Sequence, residues 1–237
     1  MEVENKRVGN FTSSEIWELT TEGTAKGSMG KRCLSYIDEK NYERRLGRRI
    51  NSDAFSYPTS WGKIVEKYVF AEYKLVPYVL CSDEVLVHNR IPYWKGTPDL
   101  LSMDIVGDIK CPFTMTSFCS LIHSIEEGDL KKDHKEYYWQ LVSNAIITGL
   151  DMCELIVFCP IKSELPKIRE FADAYDGPDP FQYKWIVDSR DEKFPFLLDN
   201  GGYESLNRFT WEVEDSEKDF LTEKVKLAGA KLNNFNF

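Results

Sequence analysis

Residues 96–112, GTPDLLSMDIVGDIKCP, form a largely apolar run between Pro98 and Pro112 whose only charges are Asp99, Asp104, Asp108 and Lys110. A run this apolar with period-two spacing has few solutions other than buried β-strands. If DLLSM and IVGDI pair as a hairpin turning at Met103–Asp104, Ser102 faces Ile105 and Asp99 faces Asp108. Side chains two apart share a strand face, so Asp108 and Lys110 point one way and Gly107 and Ile109 the other. Two carboxylates facing each other across a ladder repel. A divalent cation reverses that sign, because hard cations want clustered carboxylate oxygens. The other reading is a hairpin that carries solvated acids on its outer face.

The segments around the hairpin supply further polar groups on helices. FTSSEIWELT places Thr12, Ser13 and Ser14 ahead of an Ile16/Trp17/Leu19 stripe, the pattern of a helix N-cap and a short helix. An Arg-rich helix is expected from Cys33 to Arg49, ending near Gly47. SWGKIVEKYVFAEY predicts a helix over roughly Ser60 to Tyr73, carrying Gly62 and Glu66. EVLVHNR, TPDLLSM and IVGDIKC read as a strand meander. TSFCSLIHSI predicts a helix that stops at Gly128, and DHKEYYWQLVSNAIIT one capped by Gly149 that carries Gln140 beside Tyr137 and Tyr138. MCELIVFC is a buried strand ended by Pro160. Ile161 to about Arg208 is the least regular stretch and reads as a possible inserted lobe, and DSEKDFLTEKVKLAGAKL as a C-terminal amphipathic helix. The order predicts an α/β or α+β chain with a mixed sheet, in one domain over 1–237.

Composition limits the function classes. No apolar run approaches the ~18 residues of a membrane span, and the polar start MEVENKRVGN fits neither a signal nor a transit peptide. The six cysteines form no C-x-x-C pair. They read as reduced thiols of a cytoplasmic protein, with disulfides not expected. The net charge of −9 at first opposes nucleic acid as a partner, but all of it lies in residues 111–237. Residues 1–110 balance, with 16 basic and 16 acidic side chains. From Lys26 to Asn51 the chain carries Lys26, Lys31, Arg32, Lys40, Arg44, Arg45, Arg48 and Arg49 against three acids. Such a patch can bind phosphates, and a solvated helix face accounts for the same charges.

Taken together, the ordered set G-x-x-x-E, P-D, D-x-K and Q resembles the PD-(D/E)xK nuclease superfamily. Within it, the chain is similar to the lambda-type phage exonucleases and their YqaJ-like viral recombinase relatives. The resemblance rests on KRVGNFTSSE (6–15), SWGKIVEKY (60–68), TPDLL (97–101), DIKCPFT (108–114) and YYWQL (137–141), and spans about residues 6–158. It implies a restriction-endonuclease-like core, with a central mixed β-sheet flanked by helices. It also implies Mg²⁺-dependent 5′→3′ degradation of one strand of linear double-stranded DNA, with two ions and Mn²⁺ as an alternative. By resemblance Asp99 bridges the metals, Asp108 and the Ile109 carbonyl complete one site, and Glu66 holds a metal or its water. Lys110 positions and polarises the attacking water, its pKa depressed by the metal charge, and Gln140 orients the lysine or the water. Arg7 and Ser14, seven residues apart, match the pair that holds the 5′-phosphate. The implied partners are a single-strand annealing protein of phage-type homologous recombination and further copies of the chain in a ring-shaped trimer.

The chain departs from the lambda pattern in two places. Residues 161–208 are longer than the lambda enzyme has before its C-terminal helix, which bears on the trimer contacts. Arg44, Arg45, Arg48 and Arg49 have no residue-by-residue counterpart. Two other functions fit parts of the pattern: a restriction-like endonuclease, and a non-catalytic DNA-end-binding accessory protein.

Overall fold

The hairpin turns where the sequence predicts. In the structure, a computed structural model that describes residues 6–25, 27–50, 55–81 and 84–233, Leu100 pairs with Gly107 and Leu101 with Val106. Ser102 closes the turn, its amide donating to the Ile105 carbonyl at 3.0 Å and its Oγ accepting the Ile105 amide at 3.0 Å. That register places Asp99 and Asp108 on one line across the ladder.

In chain order the elements are β1 (Phe11–Thr12), a 3₁₀ helix (Ser13–Thr20), α1 (Lys31–Leu46), α2 (Tyr57–Glu72), β2 (Val79–Leu80) and β3 (Leu86–Val87). Then follow β4 (Trp94–Gly96), β5 (Leu100–Leu101), β6 (Ile105–Lys110), α3 (Met115–Glu126), α4 (Leu130–Asp133) and α5 (Lys135–Thr148). The last are β7 (Met152–Phe158), α6 (Leu165–Asp173), α7 (Lys184–Asp188), β8 (Leu206–Glu212) and α8 (Asp215–Gly229). The main sheet runs β2-β5-β6-β7-β8, with β6 and β7 parallel and the other pairs antiparallel. The class is therefore α/β with a central mixed sheet flanked by helices, as expected.

This sheet divides two cores. On β7, Cys153, Leu155 and Val157 face the first core with Trp94, Trp139 and Leu141, while Ile156 and Phe158 face the second with Trp61, Ile64 and Tyr68. A strand buried on both faces has to be apolar throughout, which is why MCELIVF lacks alternation. Its one acid, Glu154, is 4% exposed and is held by Arg208 Nε and Nη2 at 2.9 and 2.8 Å and by the Tyr78 hydroxyl at 2.6 Å.

The helices follow from local chemistry. Ser56 caps α2 by accepting the Thr59 amide at 3.2 Å, and Pro58 occupies its first turn. Trp61, Ile64, Val65, Tyr68 and Val69 recur at helical spacing and are all buried, each worth about 1.5–3 kcal/mol over exposure. The opposite side of the helix carries Lys63, Glu66 and Lys67. Gly149 ends α5 in the left-handed conformation, φ 75°, its amide donating to the Ala145 carbonyl at 2.8 Å.

Several expectations need correction. The strand meander is split between two sheets: Leu86–Val87 lies in a small sheet ordered β1-β4-β3, and β2 takes the place beside β5. Strands of two or three residues carry too little periodicity to assign from sequence. The helix after Thr12 is 3₁₀, and Thr12 gives it no side-chain cap; the Thr12 hydroxyl turns to Glu15 and Ser14 instead. Lys40 is not a surface cation. It is 1% exposed and paired with Glu15, Glu39 and Glu43 at 3.1–3.4 Å. Lys26 and Asn51, at the two ends of the basic stretch, lie outside the described residues.

Residues 161–208 pack Leu165, Ile168, Tyr183, Ile186 and Phe194 into the second core against α2, and the stretch runs into β8. No helix among the described residues is long and apolar enough to cross a membrane.

Candidate active site

Asp99 sits just before β5, where the chain enters the hairpin, and its Oδ2 accepts the Ile109 amide at 2.9 Å. One face of β6 presents Asp108 and Lys110 together. Asp108 is wholly buried; its Oδ1 accepts from Gln140 Nε2 at 2.8 Å, and its Oδ2 touches the Lys110 ammonium. Gln140 thus pairs with Asp108 in this structure, where the resemblance implies that it orients the lysine or the water. The reason is placement: α5 packs on the first-core face of the sheet, the face from which Asp108 projects. Glu66 approaches from α2. A Cβ on Gly62, one turn earlier, would stand 3.8 Å from Glu66 Oε1, an ordinary van der Waals distance.

These groups meet in a cleft of about 720 Å³. Glu66, Asp99, Lys110 and Gln140 line it, and so do Arg7 and Ser14. Asp108 and Ile109 lie beneath, both at 0% exposure. Arg7 Nη2 donates to Thr97 Oγ1 at 2.6 Å, and Ser14 is exposed at the start of the 3₁₀ helix. The two walls come from different layers: residues 7–14 and 95–97 belong with the first core, whereas α2 and residues 175–183 belong with the second.

Electrostatics mark the site as strained by like charge. Burial raises Asp99 well above the usual carboxylate range, and Asp108 and Glu66 add to it. Burial pushes Glu66 up to about 7, with Lys110 opposing and Asp108 reinforcing the shift. Burial alone would lower Lys110, but Asp108, Asp99 and Glu66 outweigh it and raise the ammonium. The charges around the lysine in this structure are carboxylates, whereas the depression expected from a metal concerns the loaded site. The Tyr137 ring covers it, with Lys110 Nζ 5.3 Å from the ring centroid, and His134 stacks on Tyr137 at 5.8 Å and 4°.

The donor set fits a hard divalent cation in its chemistry. Asp108 and Glu66 are near enough to Asp99 to raise its carboxyl, and the buried Asp108 Oδ2 has no hydrogen-bond donor, only the ammonium against it. As placed, no group of three or more His, Cys, Asp or Glu side chains among the described residues closes into an ion site.

Sequence reasoning missed part of the lining. Lys63 and Lys67 flank Glu66 on α2, Lys95 stands beside Thr97, and Tyr175, Gln182 and Tyr183 come from the 161–208 region. The two α2 lysines were legible as an i, i+4 pair around Glu66. The others depend on tertiary placement.

No protein-family model matches the sequence, and no curated protein matches it. Solved structures do. An alkaline exonuclease from Laribacter hongkongensis, LHK-Exo, superposes with a TM-score of 0.63 at 17% identity, covering 97% of this chain and 91% of that one. LHK-Exo in complex with dAMP gives 0.60 at 19% identity, with the same coverage. A phage-related exonuclease from Haemophilus somnus 129PT gives 0.61 at 14% identity, covering 94% and 92%. At these identities the likeness establishes a shared fold over nearly the whole length of both chains.

Proposed function

We propose that the chain is a divalent-metal-dependent deoxyribonuclease, a 5′→3′ exonuclease that degrades one strand of linear double-stranded DNA from its end. One observation carries the reading: Arg7 and Ser14 line the same cleft as Glu66, Asp99, Lys110 and Gln140. A terminal-phosphate pair beside a carboxylate–lysine centre suits an enzyme that starts at an end. The shared fold with proteins named as exonucleases supports it.

Asp99, Asp108, Glu66 and the Ile109 carbonyl would hold the metal, Mg²⁺ by preference and two ions by resemblance. When bound it supplies charge neutralisation on the phosphoryl oxygens and help to the leaving 3′ oxygen. The chain's own residues do the positioning. Asp108, fixed by Gln140, holds the Lys110 ammonium so that its remaining N–H groups face the cleft. There they can donate to the attacking water or to a non-bridging oxygen, a placement worth most where water is excluded. Tyr137 limits where the ammonium can go. Arg7 offers a guanidinium fork, and Ser14 a hydroxyl, to the terminal phosphate. The single strand left behind suits an annealing protein as the next partner in phage-type recombination.

The test is digestion of end-labelled linear duplex with Mg²⁺, with 5′-phosphate or 5′-hydroxyl ends, a circular control and Lys110→Ala. Release of 5′ label as mononucleotides, favouring the phosphorylated end and lost in the variant, is the expected result. Equal cutting of circular DNA would replace this reading with an endonuclease. End binding without cleavage in Mg²⁺ or Mn²⁺ would replace it with an accessory end-binding protein.

A further inference from the structure

We infer that Glu43 and Arg44 are positioning residues for the 5′ end: they clamp the backbone at Gly9 through its amide and its carbonyl and so hold Arg7 in the cleft. The inference rests on the reading of Arg7 as a terminal-phosphate ligand.

The clamp is built from opposite hydrogen-bonding directions. The Gly9 amide donates to Glu43 Oε2 at 2.9 Å, and Arg44 Nε donates to the Gly9 carbonyl at 2.6 Å. The two peptide groups that flank the Gly9 Cα are thus gripped by two consecutive residues in the last turn of α1. Only glycine fits there. Its φ is +64°, and a Cβ would stand 2.3 Å from Arg44 Cγ. The grip is itself anchored, since Glu43 is 0% exposed and paired with the buried Lys40. Arg44 Nη1 also donates to the Asn233 carbonyl at 3.2 Å.

On either side of Gly9 the strap, residues 6–12, is tied to β4 and its neighbours. Phe11 donates its amide to the Tyr93 carbonyl at 2.9 Å, Lys95 Nζ reaches the Lys6 carbonyl, and Arg7 meets Thr97. Arg7 lies two residues from the clamp, so the guanidinium inherits its position. A side chain and strap already ordered lose less entropy when they take up a phosphate dianion.

This assigns a role to one arginine of the basic stretch that charge alone left open. A backbone-tracking arginine should present its donors to solvent, as the exposed Arg45 and Arg48 can. Arg44 is half-buried and directs Nε and Nη1 at two carbonyls.

The experiment compares initial rates on 5′-phosphorylated and 5′-hydroxyl linear duplex for the wild type, Arg7→Ala, Arg44→Ala, Arg44→Lys, Gly9→Ala and the Arg7→Ala/Arg44→Ala pair. Hydrogen exchange of the peptide covering residues 6–12 is read in parallel. We expect Arg44→Ala, Arg44→Lys and Gly9→Ala each to lower the phosphate preference by up to about tenfold, toward that of Arg7→Ala. The strap amides should lose protection, and the double variant should be no lower than Arg7→Ala alone. Arg44→Lys and Gly9→Ala keep the test decisive if Arg44→Ala fails to fold. Full preference in Arg44→Lys, or equal slowing on both ends with a shallower salt dependence in Arg44→Ala, overturns the clamp and leaves the terminal-phosphate reading standing. A wild type indifferent to the 5′ group, matched by Arg7→Ala, overturns that reading and the clamp with it.

Discussion

Gln140 Nε2 donates to Asp108 Oδ1 at 2.8 Å, joining α5 to β6 across 32 residues of chain. The other oxygen of the same carboxylate carries the Lys110 ammonium. One buried acid therefore has its orientation set from one side and its charge answered from the other. Gln140→Ala should lower kcat by about 10–100-fold with little change in KM, since hydrogen bonds to charged groups contribute roughly 1.5–3 kcal/mol. Gln140→Glu should be worse, because it opposes two carboxylates. Steady-state kinetics on linear duplex checks both, and a Gln140→Glu enzyme as active as wild type would refute the pairing.

Glu66 should give the protein a specific pH dependence of stability. Its carboxyl is pushed up to about 7 from 4.5, first by burial and then by Asp108 against Lys110. The folded state thus binds this proton more tightly than the unfolded state. The contribution is present below the unfolded value and is lost as pH rises through about 7. Asp99 shifts in the same direction. With a chelator present, stability should fall from about pH 5 to about pH 8. The Glu66 share is about 1–2 kcal/mol, after allowing for its partial exposure to solvent. Urea unfolding across that range should show Glu66→Gln flattening the fall, and added Mg²⁺ recovering more stability in the wild type than in the variant. A wild type whose stability rises over that interval would contradict the assignment.

The Tyr137 ring, 5.3 Å from Lys110 Nζ, separates face from hydroxyl in its effect. A desolvated cation–π contact contributes about 0.5–2 kcal/mol. Tyr137→Leu should therefore lose about 3–30-fold in kcat, while Tyr137→Phe stays near wild type. Equal losses in the two variants would mean that the hydroxyl is what matters.

How much of this was legible in the sequence follows from where the information lies. The hairpin register was readable, because a period of two and a short turn leave one way to bury Leu100 and Val106. The α2 face was readable from its apolar spacing. The last strand was not: LNRFTWE is a sheet edge whose apolar residues fall at 206, 209 and 211, a broken alternation, and its charges suit an edge while hiding it from a hydrophobicity pattern. Neither was the burial of Lys40, since an ammonium goes inside only when several acids surround it, and Glu15 comes from a different element. The split into two sheets and the grip on Gly9 are purely tertiary. The acids and the lysine of the candidate site were legible as residue types in order, whereas the partner of Gln140 needed the packing of α5.

The last prediction concerns Lys63 and Lys67, which flank Glu66 at i−3 and i+1 and line the cleft. They are four apart, so they share one side of α2. Their charge should act on the DNA backbone and not on the terminal phosphate, which the proposed function gives to Arg7 and Ser14 on the opposite wall. Each phosphate contact contributes about 0.9 to the slope of log affinity against log salt concentration. Lys63→Ala/Lys67→Ala should therefore weaken binding most at low salt and reduce that slope by about 1–2. The preference for a 5′-phosphate over a 5′-hydroxyl should be unchanged. Fluorescence anisotropy on a short duplex over a salt series measures the slope, and the two-end rate comparison measures the preference. A variant that loses the end preference while keeping its salt slope would place the terminal phosphate on α2 and reverse the assignment of the two walls.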